Sequence, residues 1–274
     1  MVEIKRRLRI FIVFFICVTL FGTLGFMFLE NQSFLNALYY NIVTMSTVGY
    51  GDIHPTHPAT RLLAIFIIVL GGGTFIGVIA NASEMMLLKR EVEQRLKKQN
   101  IVLGIFFSEM GYRLLQFFSS CDIDREELAD MMAIDVGWSE KELLAMAKTF
   151  KRTGLKVDMP KVDLTDLNQF LNKRHTFMLR LLENPVLVEH EGFTELLLAL
   201  AHMGEELSSR ASLTALPGSD LKHLAGDLNR GYHLLVKEWL SHLIHLKKNY
   251  PYLYSLAARK NPFNPKASAV VDNS

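Results

Sequence analysis

Hydrophobic positions gather in two unbroken runs near the amino terminus and then spread into a helical periodicity over the rest of the chain. The first run, Ile10 to Leu29, holds 20 residues without a formal charge. At about 1.5 Å per residue it rises roughly 30 Å, the thickness of a bilayer's hydrocarbon core. The second, Leu62 to Ser83, is 22 uncharged residues long and continues into Glu84-Met85-Met86-Leu87-Leu88, enough to span and still protrude. The pattern predicts an outer helix over 8–29 and an inner helix over 60–88.

Between the spans lies a shorter apolar stretch, Ser33 to Met45, followed by Ser46-Thr47-Val48-Gly49-Tyr50-Gly51-Asp52. It is too short to cross a bilayer, so it reads as a helix over 33–45, N-capped by Ser33, that dips in and returns as extended chain. Non-helical backbone at membrane depth survives only when buried in protein or lining a polar pathway. Gly49 and Gly51 admit conformations that other residues avoid, which lets the carbonyls of Thr47, Val48, Gly49 and Tyr50 aim to one side. A row of such oxygens replaces the water shell of a monovalent cation.

Thr47-Val48-Gly49-Tyr50-Gly51-Asp52 resembles the signature of potassium channels, and the layout of two spans and one loop is similar to the minimal pore of prokaryotic two-transmembrane members. A given six-residue string arises by chance at about one position in tens of millions, and here it sits in the loop that the motif requires. The resemblance implies that the Thr47 to Tyr50 carbonyls and the Thr47 hydroxyl bind dehydrated K⁺, with Asp52 at the outer mouth. It also implies four loops around an axis, hence a homotetramer, since one chain carries one loop. Tyr39 and Tyr40 occupy the positions of an aromatic cuff that braces the filter. Ordinary packing is the competing reading of these rings. Val43 stands where some members carry a glutamate that pairs with the aspartate, so inactivation behaviour does not transfer.

Charge sets the orientation. Lys5, Arg6, Arg7 and Arg9 precede the first span, and Lys89, Arg90, Arg95, Lys97 and Lys98 follow the second, whereas the connection carries only Glu30, Asp52 and Arg61. The positive-inside bias places both termini in the cytoplasm. A cleaved signal peptide fits the amino-terminal pattern less well, because the run is long and aromatic and Glu30-Asn31-Gln32 makes a poor cleavage site.

In the second span, Gly71-Gly72-Gly73 and Gly77 lower helix stability by about 1 kcal/mol each relative to alanine. Such a site bends easily, and the resemblance implies a gating hinge near this depth, for which Gly71 and Gly73 are the candidates, with close packing of the inner helix against the pore helix as the alternative. Ile76, Ala80 and Glu84 recur at i, i+4, i+8 and are candidates for the face that lines the conduction axis. His54 and His57 flank the loop's outer side, where a solvated loop is the simpler reading and external pH sensing the other. Regularly spaced arginines of a voltage sensor are lacking.

A charged, helix-prone linker over 89–99 leads to the rest. Asn100-Ile101-Val102-Leu103-Gly104 imitates the first strand of the Rossmann-like regulators attached to many such channels, but the spaced glycines that follow in those domains are missing. Helices are expected instead over Phe107 to Ser119, Arg125 to Ala133, Glu140 to Arg152, Leu164 to Glu183, Phe193 to Arg210 and Asp220 to Lys248. Ser139 and Glu142 form a capping box, and prolines 160, 185, 217 and 251 punctuate the breaks. Glu238, His242 and His245 share a helical face and are weak candidates for a divalent-metal site, against satisfied or solvated side chains. The aromatic and basic end, Tyr250 to Leu256 with Arg259 and Lys260, suits docking onto its own domain better than the inner leaflet.

Composition adds limits. Half of the 274 residues are hydrophobic and net charge is +2, divided as +4 over residues 1–99 and −2 over the remainder. That balance argues against a nucleic-acid partner, and two cysteines, Cys17 and Cys121, cannot build a disulfide framework. No nucleophile–base pair or phosphate loop supports catalysis. The expectation is an all-α membrane protein with a pore domain over 1–88, a helical cytoplasmic regulatory domain over 100–265 and a loose tail over 266–274. Its expected function is a K⁺-selective channel, not an enzyme, with membrane lipid around it, no cofactor, and an unknown cytoplasmic gating ligand. The rival readings are a non-conducting sensor anchored by a channel-like pore and a weakly selective cation channel.

Overall fold

The computed structural model describes residues 2–150 and 153–270, and it is helical nearly throughout. The elements are α1 (Val2–Glu30), α2 (Phe34–Met45), α3 (Pro58–Phe66), a π-helical turn (Ile67–Gly71) and α4 (Gly72–Phe106). A second π-helical turn (Phe107–Gly111) precedes α5 (Tyr112–Ser120), α6 (Arg125–Met131), α7 (Glu140–Phe150), a 3₁₀ turn (Met159–Lys161), α8 (Leu164–Leu182) and α9 (Pro185–Val188). The chain closes with α10 (Glu191–Ser208), α11 (Gly218–Asn249) and α12 (Pro251–Arg259). One isolated β-bridge, Asp122 to Val157, is the extended pairing among the described residues. The chain divides into two compact units, up to Gln94 and from Arg95 onward.

In the first unit, α1 and the helical run beginning at Pro58 are both long and apolar enough to cross a membrane. Helix α1 starts at Val2, earlier than residue 8, because the basic segment is itself helix-prone and Arg7 pairs with Glu3 one turn back at 2.6 Å. The second run starts at Pro58, whose fixed φ suits a first helical position. It runs on past 88 through the charged segment over 89–99, as that segment's helix-prone residues indicate, and reaches Phe106. Ser33 caps α2 by accepting the Asn36 amide, as the sequence indicates. Phe26, Ala37, Met45 and Ile67 are buried where α1, α2 and the first π turn meet. Elsewhere large apolar side chains, among them Phe14, Phe21, Leu35 and Val69, are exposed, the pattern of surfaces that meet lipid or other chains.

The second unit is built on α11, whose Tyr232, Leu235, Trp239 and Leu243 are fully buried among α5, α7, α10 and α12. Asn100 to Phe106 is helical rather than strand-like, because Leu103, Phe106, Phe107, Met110 and Leu114 recur at helical spacing and all enter this core. Prolines 185 and 251 open helices and Pro217 precedes one. The capping box forms, with Ser139 N donating to Glu142 Oε2 at 2.6 Å and Glu142 N donating to Ser139 Oγ at 3.3 Å. The aromatic end folds back as α12, where Tyr254 is buried and its hydroxyl donates to the Asp135 carbonyl at 2.8 Å. Lys266 to Val270 is exposed and non-helical. The end of the expected tail, 271–274, and Lys151 and Arg152, the end of the helix expected over Glu140 to Arg152, lie outside the described residues.

Candidate functional site

After Ser46 the backbone leaves the helix with an alternating handedness. Thr47, Gly49 and Gly51 have φ of 62°, 58° and 78°, whereas Val48 and Tyr50 between them are not in the left-handed region. Such alternation gathers successive N–H groups on one side of the chain and carbonyls on the other. The hydrogen bonds agree. Val48 N and Gly49 N both donate to the Val43 carbonyl, at 3.1 and 3.3 Å, and the Ser46 hydroxyl donates to the same oxygen at 3.1 Å. Because each peptide is trans, the Thr47 and Val48 carbonyls point away from α2. All six residues from Thr47 to Asp52 are exposed in the single chain, and a Cβ on Gly49 or Gly51 would meet nothing within 4 Å.

The two tyrosines part company. Tyr39 donates its hydroxyl to Asp52 Oδ2 at 2.9 Å, a direct brace at the end of the motif. Tyr40 is buried against α1, its ring stacked on Phe26 with centroids 4.0 Å apart, so packing accounts for its ring, and its hydroxyl interacts with Thr44 on the same helix. Asn41, one residue on, is buried and donates to the Thr19 carbonyl at 2.7 Å and to Thr23 Oγ1 at 3.2 Å. Gly22 makes that approach possible, since a Cβ there would lie 2.7 Å from Asn41 Nδ2.

The glycines also separate. Gly71 closes the π turn and touches α2, and a Cβ on it would lie 2.5 Å from Met45 Cγ. Packing therefore accounts for Gly71. A Cβ on Gly73 meets nothing within 4 Å, so packing within the chain gives no account of it. Gly73, Ile76, Ala80 and Glu84 are all exposed and follow one face of α4.

One site was not legible in the sequence. Glu30, the last residue of α1, accepts from Thr56 N at 2.8 Å, His57 N at 3.1 Å and the Thr56 hydroxyl at 2.6 Å, and the Thr60 hydroxyl also binds it. This carboxylate ties the end of the first span to the start of the second. His57 Nδ1 lies 3.3 Å from it, whereas His54 is an exposed loop residue.

In the second unit the proposed metal ligands are not brought together. Among the described residues no group of three His, Cys, Asp or Glu side chains is arranged to hold a metal ion. Glu238 instead faces His190, 3.8 Å away, and burial raises its pKa. His242 stacks on Phe107 at 5.2 Å, and burial, helped by nearby His245, lowers its pKa to about 4. His245 accompanies Asn249 and Tyr250.

Comparison with known proteins assigns both units. Residues 10–87 match the family described as Ion channel, and residues 95–259 match that described as Uncharacterized protein MJ1433, C-terminal helical domain. Uncharacterized protein MJ1433 of Methanocaldococcus jannaschii is 42% identical over 190 residues, covering 69% of this chain and 76% of that one. The chain belongs to the MJ1433 family. It is a membrane protein in which an ion-channel domain precedes the MJ1433-type helical domain. The MJ1433-family chain is also similar to Two-pore potassium channel 1 of Arabidopsis thaliana, 33% identical over 45% of this chain and 32% of that one. Potassium channel protein 1 of Methanocaldococcus jannaschii is 27% identical over 44% of this chain and 39% of that one. The chain thus spans well under half the length of these potassium-channel relatives.

Proposed function

We propose that the protein is a K⁺-selective channel in which four copies surround one pore. The observation that carries this reading is the alternating backbone of Thr47, Gly49 and Gly51, anchored through two amides on the Val43 carbonyl so that carbonyls turn away from α2. Carbonyl rings of this kind conduct by replacing hydration water at several weak sites in series. Thr47 to Tyr50 supply the oxygens, Asp52 held by Tyr39 marks the outer mouth, and Ile76, Ala80 and Glu84 line the inner path. The uncovered loop supports assembly, because a lone chain leaves those oxygens facing nothing. The distribution of lysine and arginine supports cytoplasmic termini, and the helical unit, which continues the inner helix in sequence, biases the gate.

Uptake of ⁸⁶Rb⁺ into K⁺-loaded liposomes tests the reading, with reversal potentials in mixed K⁺ and Na⁺ as the second measurement. Selective, saturable uptake that is lost in a Gly49→Ala variant supports it. Uptake without preference for K⁺ makes it a weakly selective cation channel, and an assembled protein without flux makes it a sensor on a channel-like anchor.

A further inference from the structure

The helical unit contains a cavity of about 660 Å³ between the start of its first helix and α12, within the range of small-molecule sites. Its walls are Ile101 and Ile105 on α4 and Leu253 and Leu256 on α12. These four are between 40% and 58% exposed, although large apolar side chains outside a membrane are normally covered when clustered. One wall includes Ser108 and Glu109 of the π-helical turn, a local widening that recurs at functional sites. Gly104 also lines the cavity, and a Cβ there would be in ordinary contact with the His242 ring at 3.5 Å, so a larger side chain would have to extend into the space.

One polar group gives the cavity a chemistry, since the Nδ1 of His242, a lining residue, is itself buried out of a ligand's reach. At the rim, Lys260 rests its ammonium over the Tyr112 ring at 5.7 Å and has no carboxylate partner among the described residues. The rim's one carboxylate, Glu109, is paired with Arg174 at 2.9 Å. With Glu109 already engaged by Arg174, Lys260 is the charge of the lining left for a ligand, above an apolar interior.

We infer that this cavity binds an apolar carboxylate or similarly anionic amphiphile, with its hydrocarbon body against Ile105 and Leu256 and its acidic head at Lys260. Its effect on current rests on the gating reading above, but occupancy does not, and binding and flux are measured separately.

The test uses the full chain in zwitterionic phosphatidylcholine nanodiscs, titrated calorimetrically with 4-pentylbenzoate and its neutral amide. The wild type should bind both saturably and the acid about fivefold more tightly, the scale of one exposed ion pair. Lys260→Gln should remove that preference and leave the amide unchanged. Gly104→Leu should abolish both, with Leu256→Gln, an exposed position, weakening both if the glycine variant does not fold. Nanodiscs of anionic phosphatidylglycerol that compete with the probe would mark a lipid headgroup as the source, and nanodiscs that do not compete would mark a free acid; both keep the site. Absence of saturable binding to the wild type overturns the inference, as does binding indifferent to both Lys260→Gln and Leu256→Gln. Cross-linking between chains at Ile101→Cys, in a Cys17→Ser, Cys121→Ser background that binds no probe, overturns it in favour of a second copy filling the groove. Binding without ⁸⁶Rb⁺ flux sinks the channel reading alone.

Discussion

The Tyr39 hydroxyl donates to Asp52 at 2.9 Å across 13 residues of sequence, so the end of the filter motif is held by the helix that precedes it. Position 43 is valine, which offers this aspartate no hydrogen-bonding side chain. Tyr39→Phe removes the donor without changing the ring. Currents should then decay faster during sustained opening, by roughly severalfold given a bond to a charged acceptor, while K⁺ over Na⁺ preference persists. Single-channel recording in planar bilayers measures both, and an unchanged decay would leave the brace without a role.

Gly71 and Gly73 should respond differently to alanine. At Gly71 the added carbon meets Met45, and such overpacking costs about 1–3 kcal/mol, visible as a lower thermal midpoint in detergent. Combining it with Met45→Ala should recover part of that loss. Gly73→Ala has room, stiffens the helix by about 1 kcal/mol, and should change open probability at a midpoint that is raised rather than lowered.

The His242 ring has a folded-state pKa of about 4, against 6.5 for an imidazole free in water. As pH falls below 6.5 the unfolded chain takes up a proton that the folded chain refuses, so stability is complete above 6.5 and declines toward pH 4. The difference is worth roughly 3 kcal/mol in total. Urea midpoints at pH 7 and pH 5 should diverge more for the wild type than for His242→Phe, which keeps the stack on Phe107.

Glu30 accepts from two amides and two hydroxyls, a set that glutamine can satisfy only in part. Glu30→Gln should lower the thermal midpoint modestly and Glu30→Ala more, with both variants keeping ion preference. Equal midpoints for the three proteins would show the clasp to be without consequence.

Features written in adjacent residues were legible in the sequence. Ser33 and Ser139 cap helices as their neighbours dictate, and Thr47 to Asp52 stand out as a motif whose glycines take the left-handed angles that it needs. Features that depend on a distant partner were not. Whether Gly71 is a hinge or a contact depends on Met45, 26 positions earlier in the chain. Tyr40 could not be separated from Tyr39 until Phe26 was seen beneath it. Helical spacing puts Glu238, His242 and His245 on one face but does not tell that His190 and Phe107 occupy it. Continuity through Asn100 to Phe106 was obscured by β-branched residues, whose local preference is weak beside a core that takes every third or fourth side chain.

The oxygen that secures the start of the Thr47 to Asp52 loop belongs to the main chain of Val43. Whatever side chain a mutation installs there, that atom remains, so exchanges at position 43 leave the anchorage of Val48 and Gly49 in place.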